Sequence, residues 1–306
     1  MFYFLSTHPG EVAAVLTAFS WSVAVVFFRL AGENSSSLAF NLFKSAFATV
    51  LFFLILPFAE WGQMTSLKSL LFPVLTQKEW VLLTVSGILG VTLGDLFFLM
   101  AIKRIGASLN ALISCIYSPL VMLFAFLFLD ETMPLIGVIG GAFVVTAVIV
   151  AGNTHSIEGV DRNRLASGIF YAVLSEIAMV AAVIMIRDIF REQSVYWVLS
   201  FRFFVGTFFM LPLLLSKKVR TNLKSMLKPV KQRNWIILGS LFGPFLATIL
   251  WLLGFKYTLA GKAAVYNQLS TIFIFILAAI FLKEKLTTKR VIALILGVFG
   301  AVLVSL

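Results

Sequence analysis

Apolar runs long enough to cross a lipid bilayer, separated by polar stretches, recur along nearly the whole chain. They fall at 11–30, 38–58, 79–101, 107–129, 133–152, 164–187, 195–216, 234–256, 262–282 and 287–306, bounded by charge, Pro, Gly or Ser clusters. Crossing the hydrocarbon layer takes roughly 20 apolar residues per helix, and without water there each backbone N–H and C=O must be bonded within its own segment. The ~10-residue alternation of an outer-membrane barrel is absent, so helices are expected throughout. Composition agrees: 61% hydrophobic and 12% charged residues, with a mean hydropathy of +1.05, give more apolar surface than one water-soluble core can hide. The reading is an all-α membrane protein of ten transmembrane helices with the lipid bilayer as solvent. Only 59–78 and the basic run SKKVRTNLKSMLKPVKQRN at 216–234 are long enough for appreciable structure on the water side. The opening MFYFLSTHPGE lacks the basic n-region of a signal peptide, so the chain is read as mature from Met1.

The spans repeat. LFLDETMPLIGVI at 127–139 has a counterpart in IFLKEKLTTKRVI at 280–292, 153 positions later. Laying 95–150 on 248–303 without a gap pairs Leu99 with Leu252, Lys103 with Lys256, Ala107 with Ala260, Phe128 with Phe281 and Glu131 with Glu284, and Gly90 meets Gly243 at the same offset. FNLFKSAF at 40–47 aligns with VLSFRFFV at 198–205 and sets Lys44 against Arg202. The chain divides into modules at 1–152 and 164–306, joined by a linker at 153–163. Five spans per module is an odd number, so each module enters on one face and leaves on the other. The second module is then upside down relative to the first, related by a pseudo-two-fold axis in the membrane plane. Two inverted five-helix repeats around a central cavity are the expected architecture, and alternating access is the motion that such symmetry allows.

The residues that carry the repeat also carry a family pattern. GDLFFLMAIKRIGASLNALISCIYSPLVMLFAFLFLDETMPLIGVIGGAFV, from Gly94 onward, resembles the EamA module of the drug/metabolite transporter superfamily. The second copy, LLGFKYTLAGKAAVYNQLSTIFIFILAAIFLKEKLTTKRVIALILGVFGAVL, resembles it too, with Glu284 in the glutamate position. Ser20 and Trp21, in AFSWSVAVVFFRL, resemble the module's opening phrase, and both are candidates for lining the solute cavity. Asp130 and Lys283 stand where the pattern has glycine, and Ile272 stands where the first module has Pro119. The resemblance implies ten helices in two inverted modules around a cavity, moving amino acids, other metabolites or drugs.

Several chemistries have no foothold. Cys115 is alone, so no internal disulfide can form, and His8 and His155 lie in polar connections. No Walker loop, GxSxG elbow or cluster with metal-ligand spacing is present, so neither a metal nor another cofactor is expected. The net charge of +11 does not point to nucleic acid, because most Lys and Arg residues stand between apolar runs, where they hold membrane ends in place.

Four ionisable residues fall well inside spans: Lys44, Asp95, Glu176 and Arg202. A charge near the bilayer centre costs about 2.5 to 3.5 kcal/mol on insertion scales, so these must face a cavity or one another. Two acids and two bases permit two ion pairs. A Glu176 without a fixed cation would be a proton-coupling candidate, whereas a Glu176 pair with Arg202 or Lys44 would merely join helices. Asp95, nearer a span end, is suited to an interfacial water or a cation, or to a structural role.

Spans four and nine supply further polar groups. Asn110, Ser114 and Tyr117 recur at helical spacing, and Tyr266, Asn267 and Ser270 do much the same. Such stripes either bond helix to helix or line a shared solute cavity. Trp21, Trp251 and the two tyrosines could add stacking or cation–π contacts to a solute. Gly90 with Gly94, Gly137 with Gly141 and Gly239 with Gly243 form GxxxG pairs for close packing, while Pro119 and Pro244 permit kinks. Packing and gate hinges are both open readings for these residues.

Orientation divides the arguments. Connections after odd-numbered spans hold 16 Lys and Arg against six on the other face, which puts both termini outside by the positive-inside rule, but seven of the 16 come from 217–233 alone. The family resemblance implies both termini inside, so orientation stays open.

The expected function is a secondary transporter, exporter or exchanger, of small polar metabolites such as amino acids or drug-like solutes. It would sit in a cell membrane, the cytoplasmic membrane of a bacterium, as a monomer, and would be no enzyme. The alternative is a non-transporting multi-span protein, a receptor or intramembrane enzyme; the latter would need a nucleophile and a base at one depth, and the spans offer no His. A channel would show charged rings or a repeated filter motif, and neither is found.

Overall fold

The computed structural model describes residues 8–32, 36–60, 73–128, 134–152, 162–258, 260–284 and 287–304. Among the described residues the chain is helical, with no strand. Six helices are long and apolar enough to cross a membrane by length and composition: Pro9–Ala31, Ser37–Ala59, Gln77–Phe128, Arg162–Ile184, Val195–Leu215 and Val230–Tyr257. Leu135–Val150 and Tyr266–Phe281 are shorter apolar helices. The elements used below are α1 (Pro9–Gly32), α2 (Ser37–Ala59), α3 (Gln77–Gly87), α4 (Asp95–Ile113), α5 (Tyr117–Phe128), α6 (Leu135–Gly152), α7 (Arg162–Ile184), α8 (Arg187–Glu192), α9 (Val195–Met210), α10 (Lys217–Leu227), α11 (Val230–Ser240), α12 (Thr248–Tyr257), α13 (Ala260–Phe281) and α14 (Thr288–Val304).

Helix starts follow from local chemistry. Thr76 and Glu79 form a capping box at α3: the Glu79 N–H donates to Thr76 Oγ1 at 3.3 Å and the Thr76 N–H to Glu79 Oε2 at 2.7 Å. Ser194 caps α9 by accepting from the Trp197 N–H at 3.4 Å.

The long run from Gln77 to Phe128 is interrupted at Gly106, whose φ of 81° and ψ of 175° suit a residue without a Cβ. The backbone restarts there, and Glu284 caps the new turn. Its Oε1 accepts from the Ala107 N–H at 2.9 Å and its Oε2 from the Ser108 N–H at 3.1 Å. A carboxylate at a helix N-terminus satisfies donors the helix leaves unpaired and meets the positive end of its dipole. This gives the glutamate of the second FLxE phrase a concrete role: the end of one span pins the start of another from the other half of the chain. Leu129, Asp130 and Glu131 of the first copy lie outside the described residues, as do His155 and most of the 153–163 linker.

A second feature respects the 153-residue offset. Ile88–Gly94 and Leu241–Ala247 are both π-helical, each joining two α-helical stretches. The second contains Pro244, which has no N–H to give to the ladder; the first has no proline and reaches the same winding with Gly90 and Gly94.

The glycines pack differently from their GxxxG spacing. A Cβ on Gly137 would meet Met122 Sδ at 2.5 Å and one on Gly141 would meet Pro119 Cβ at 3.4 Å, so both face α5. The close crossing of α6 with α14 is made by Gly140 and Gly300, where a Cβ on either would stand 2.6 Å from the other's carbonyl oxygen. Gly239 and Gly243 receive Phe28 and Ala24 of α1.

Four apolar clusters fill the interior among the described residues, and two of them are the largest. One joins Phe52, Leu56, Leu83, Ile186, Phe190, Trp197 and Leu252; the other joins Ala24, Phe28, Phe40, Phe98, Ile102, Ile236 and Ile274. Along α2 the order is Phe40, then Lys44, then Phe52, so the buried lysine lies between the two clusters. The basic 216–234 run, read from sequence as a water-side connection, is helical. α10 buries Val219 and Met226 and leaves Lys217, Lys218, Arg220 and Lys224 exposed.

Candidate functional site

Between the two clusters lies a cavity of about 210 Å³. Its lining draws on both halves: Trp21 of α1, Lys44 of α2, Gly90, Asp95, Ser114, Tyr117 and Glu176 from the first six expected spans, then Arg202, Pro244, Trp251, Asn267, Gln268 and Ser270.

All four intramembrane charges reach this cavity, but they make one ion pair, not two. The Lys44 ammonium contacts the Asp95 carboxylate, with both side chains buried. Glu176 receives instead the Ser114 hydroxyl, at 2.5 Å from Oγ to Oε1. Among the described residues no hydrogen bond or ion pair reaches the Arg202 guanidinium, and its buried Nε lacks a partner. Neither pairing that would have tied Glu176 to a base forms. Asp95, the residue that follows the π segment, contacts Lys44, and the nearest donor to Glu176 is the Ser114 hydroxyl.

Arg202 is lodged by small neighbours. A Cβ on Gly90 would come within 2.9 Å of its Nη2, and one on Gly87 within 2.8 Å of its carbonyl oxygen. The glycines of α3 and the π segment thus let α9 approach and leave room for the guanidinium. In the same lining, the Tyr117 hydroxyl and both polar atoms of the Asn267 amide are buried without a partner. Tyr117 is within electrostatic reach of both Glu176 and Arg202. Trp21, tilted against Phe98 at 5.4 Å between ring centroids, and Trp251, edge-on to Phe255 at 5.3 Å, supply aromatic walls.

The two polar stripes divide between both of their readings. Ser114, Tyr117, Asn267 and Ser270 line the cavity. Asn110 and Tyr266 do not; between Asn110 and Tyr117 a short 3-10 stretch at Ser114–Ile116 interrupts the α-helical winding of span four. Meanwhile Gln268 Nε2 donates to Ser118 Oγ at 2.9 Å, and Thr271 Oγ1 donates to the Ala111 carbonyl at 3.4 Å, bonding span nine to span four. Ser20 is also a helix fastener, its hydroxyl donating to the Phe242 carbonyl at 2.7 Å and not facing the cavity. Gly94, Pro119 and Gly243 stay in the packing, while Gly90 and Pro244 reach the lining.

Sequence reasoning passed over Thr17, Ser175, Met179 and Thr248, which also line the cavity. Thr17 stands four residues before Trp21, and that helical register could have singled it out; Ser175 is adjacent to Glu176 and offered no such signal. Among the described residues no group of three or more His, Cys, Asp or Glu could hold a metal ion. What the lining can do is offer donors, one unpaired cation, a carboxyl and aromatic faces to a solute.

Two stretches of the chain, 8–152 and 166–306, match the model of the EamA-like transporter family. The chain belongs to that family. An uncharacterized transporter of Archaeoglobus fulgidus is 23% identical over 298 residues, covering 97% of this chain and 96% of the relative. A crystal structure of another protein superposes with a TM-score of 0.66 over 96% of both chains at 14% identity, which shows a shared fold alone. This EamA-like protein is accordingly an integral membrane protein with multiple apolar helices and a membrane transporter in general function; no catalytic function is indicated.

Proposed function

We propose that this protein is a secondary transporter that exports or exchanges small polar metabolites, such as amino acids or drug-like solutes, by alternating access. The proposal includes ten spans arranged as two inverted modules, 1–152 and 164–306, joined at 153–163 and acting as a monomer in the cytoplasmic membrane of a bacterium. The observation that carries it is the cavity: polar and charged groups from both halves converge between two apolar clusters. A polar hollow bounded at each end by apolar packing is what a carrier needs, because loosening either cluster in turn would admit water and solute from one side only. The recurrence of the π segments at the repeat offset supports equivalent bends in the two modules.

Purified protein reconstituted in vesicles and loaded with a panel of amino acids and organic solutes should show counterflow without energy input. Absence of counterflow across a broad panel would turn the reading toward a receptor. Paired cysteines placed in the two apolar clusters should alternate in accessibility from the two sides; simultaneous access to both would indicate a channel instead.

A further inference from the structure

We infer that the solute carried in this cavity presents a carboxylate, and that Arg202 is the group that receives it. The inference rests on the transport reading and specifies the chemistry of the same site. Both acids of the lining already have a partner: Asp95 contacts Lys44, and Glu176 holds the Ser114 hydroxyl. Arg202 alone among the four charged groups of the lining has neither an ion pair nor a hydrogen bond among the described residues.

Arg202 is 95% buried as a residue and its Nε has no partner, which is costly, and the cost falls when an acceptor with matching geometry arrives. The planar fork of Arg fits the two oxygens of a carboxylate, bidentate and charge-assisted. Asp95 lies within electrostatic reach of Arg202, but its carboxylate contacts Lys44, so the guanidinium has no anion in contact. Gly90 leaves the space beside Nη2 that a side chain would fill. The unpartnered hydroxyl of Tyr117 and the amide of Asn267 add donors for the same anion. Aromatic walls at Trp21 and Trp251 suit an apolar body on the solute. At Asp95 a cationic solute would compete with Lys44, and at Glu176 it would share the carboxyl with Ser114, whereas an anion at Arg202 meets no competitor.

The test uses the full chain in lipid nanodiscs, titrated calorimetrically with four probes that share a phenylalkyl body: 3-phenylpropionate, phenylalanine, phenethylamine and 3-phenylpropanol. The two carboxylates should bind, with the amine and the alcohol weaker by about tenfold or more, the factor expected for a charged hydrogen-bonded contact. Arg202→Gln should weaken the carboxylates by a similar factor, and Arg202→Lys should restore part of the loss. An amine or alcohol that binds as tightly as the acids overturns the inference, as does undiminished acid binding by folded Arg202→Gln. If Arg202→Gln does not fold, the ranking of the four probes on the unaltered protein decides by itself. Counterflow separates the two readings. Carboxylate binding without counterflow of any solute upholds this site and sinks the transport reading; counterflow confined to solutes without a carboxylate upholds transport and sinks this inference.

Discussion

Lys44 and Arg202 occupy corresponding places in the two halves of the chain, and their surroundings differ. Lys44 has Asp95 in contact; Arg202 has a glycine beside its guanidinium and no acceptor. A duplicated sequence has kept a cation at both places and given only one of them a partner. The lesson is that a repeated residue can be structural in one copy and available in the other. The paired site contributes to holding α2 against α4, whereas the unpaired site is the one proposed to receive a solute carboxylate.

The largest expected effect separates the two positions. Asp95→Asn leaves the Lys44 ammonium buried without a counter-charge and should lower stability by about 3 to 5 kcal/mol, read as a fall in thermal midpoint in detergent. Replacing Lys44 by Met and Asp95 by Leu together should restore most of that loss. Arg202→Gln should be nearly neutral or stabilising by the same measurement, because no partner is orphaned. A collapse of Arg202→Gln as deep as that of Asp95→Asn would erase the contrast.

Next in size are the glycines at the repeat offset. Gly90→Ala would push on Arg202 Nη2 and Ala182 Cβ, and Gly243→Ala would push on Ala24 Cβ and Phe28, so each should cost about 1 to 3 kcal/mol of packing. Only Gly90→Ala should also weaken carboxylate binding, since Gly243 faces α1 and not the cavity. Equal binding loss in both variants would mean that the π segments matter as bends and not as neighbours of Arg202.

A smaller change is expected at Glu284. Its replacement by Ala removes the acceptor for the Ala107 and Ser108 N–H groups and should cost about 0.5 to 2 kcal/mol, the range for losing a helix cap. Hydrogen exchange should rise in the turn after Gly106 before it rises elsewhere. No local change there would remove the cap from the account of why this phrase is repeated.

The smallest stability effect belongs to Glu176→Gln, because the amide oxygen can still accept from Ser114. Its signature should be functional: the response of transport to an imposed pH gradient falls more than counterflow does. Equal loss of both would make Glu176 a solute contact and not a proton carrier.

Much of the fold was legible because lipid imposes one rule on every span: about 20 apolar residues, helical, with charge at the ends. The apolar run 38–58 emerges as Ser37–Ala59, and 234–256 as Val230–Tyr257 with α11, a π segment and α12 in line. The offset of 153 was legible because it is arithmetic on letters. The site was legible only in its members. Lys44, Asp95, Glu176 and Arg202 could be named as expensive in lipid, but their partners depend on how helices far apart in sequence are turned against one another. Asn110 and Tyr117 look coaxial on a helical wheel, but three residues of 3-10 winding intervene and only Tyr117 lines the cavity. Ser20 looked like a cavity residue and reaches a carbonyl across 222 positions.

The sequence by itself determined that this chain lives in lipid, that it is helical, that its halves repeat and that four charges must be accommodated inside, because each of these follows from local composition and spacing. Tertiary structure alone decided which charge was neutralised and which was left open, where Glu284 found a helix start to cap, and which polar faces look inward. Those outcomes hang on distances between groups brought together from opposite ends of the chain, and electrostatic and hydrogen-bond energies change steeply over distances shorter than one helical turn.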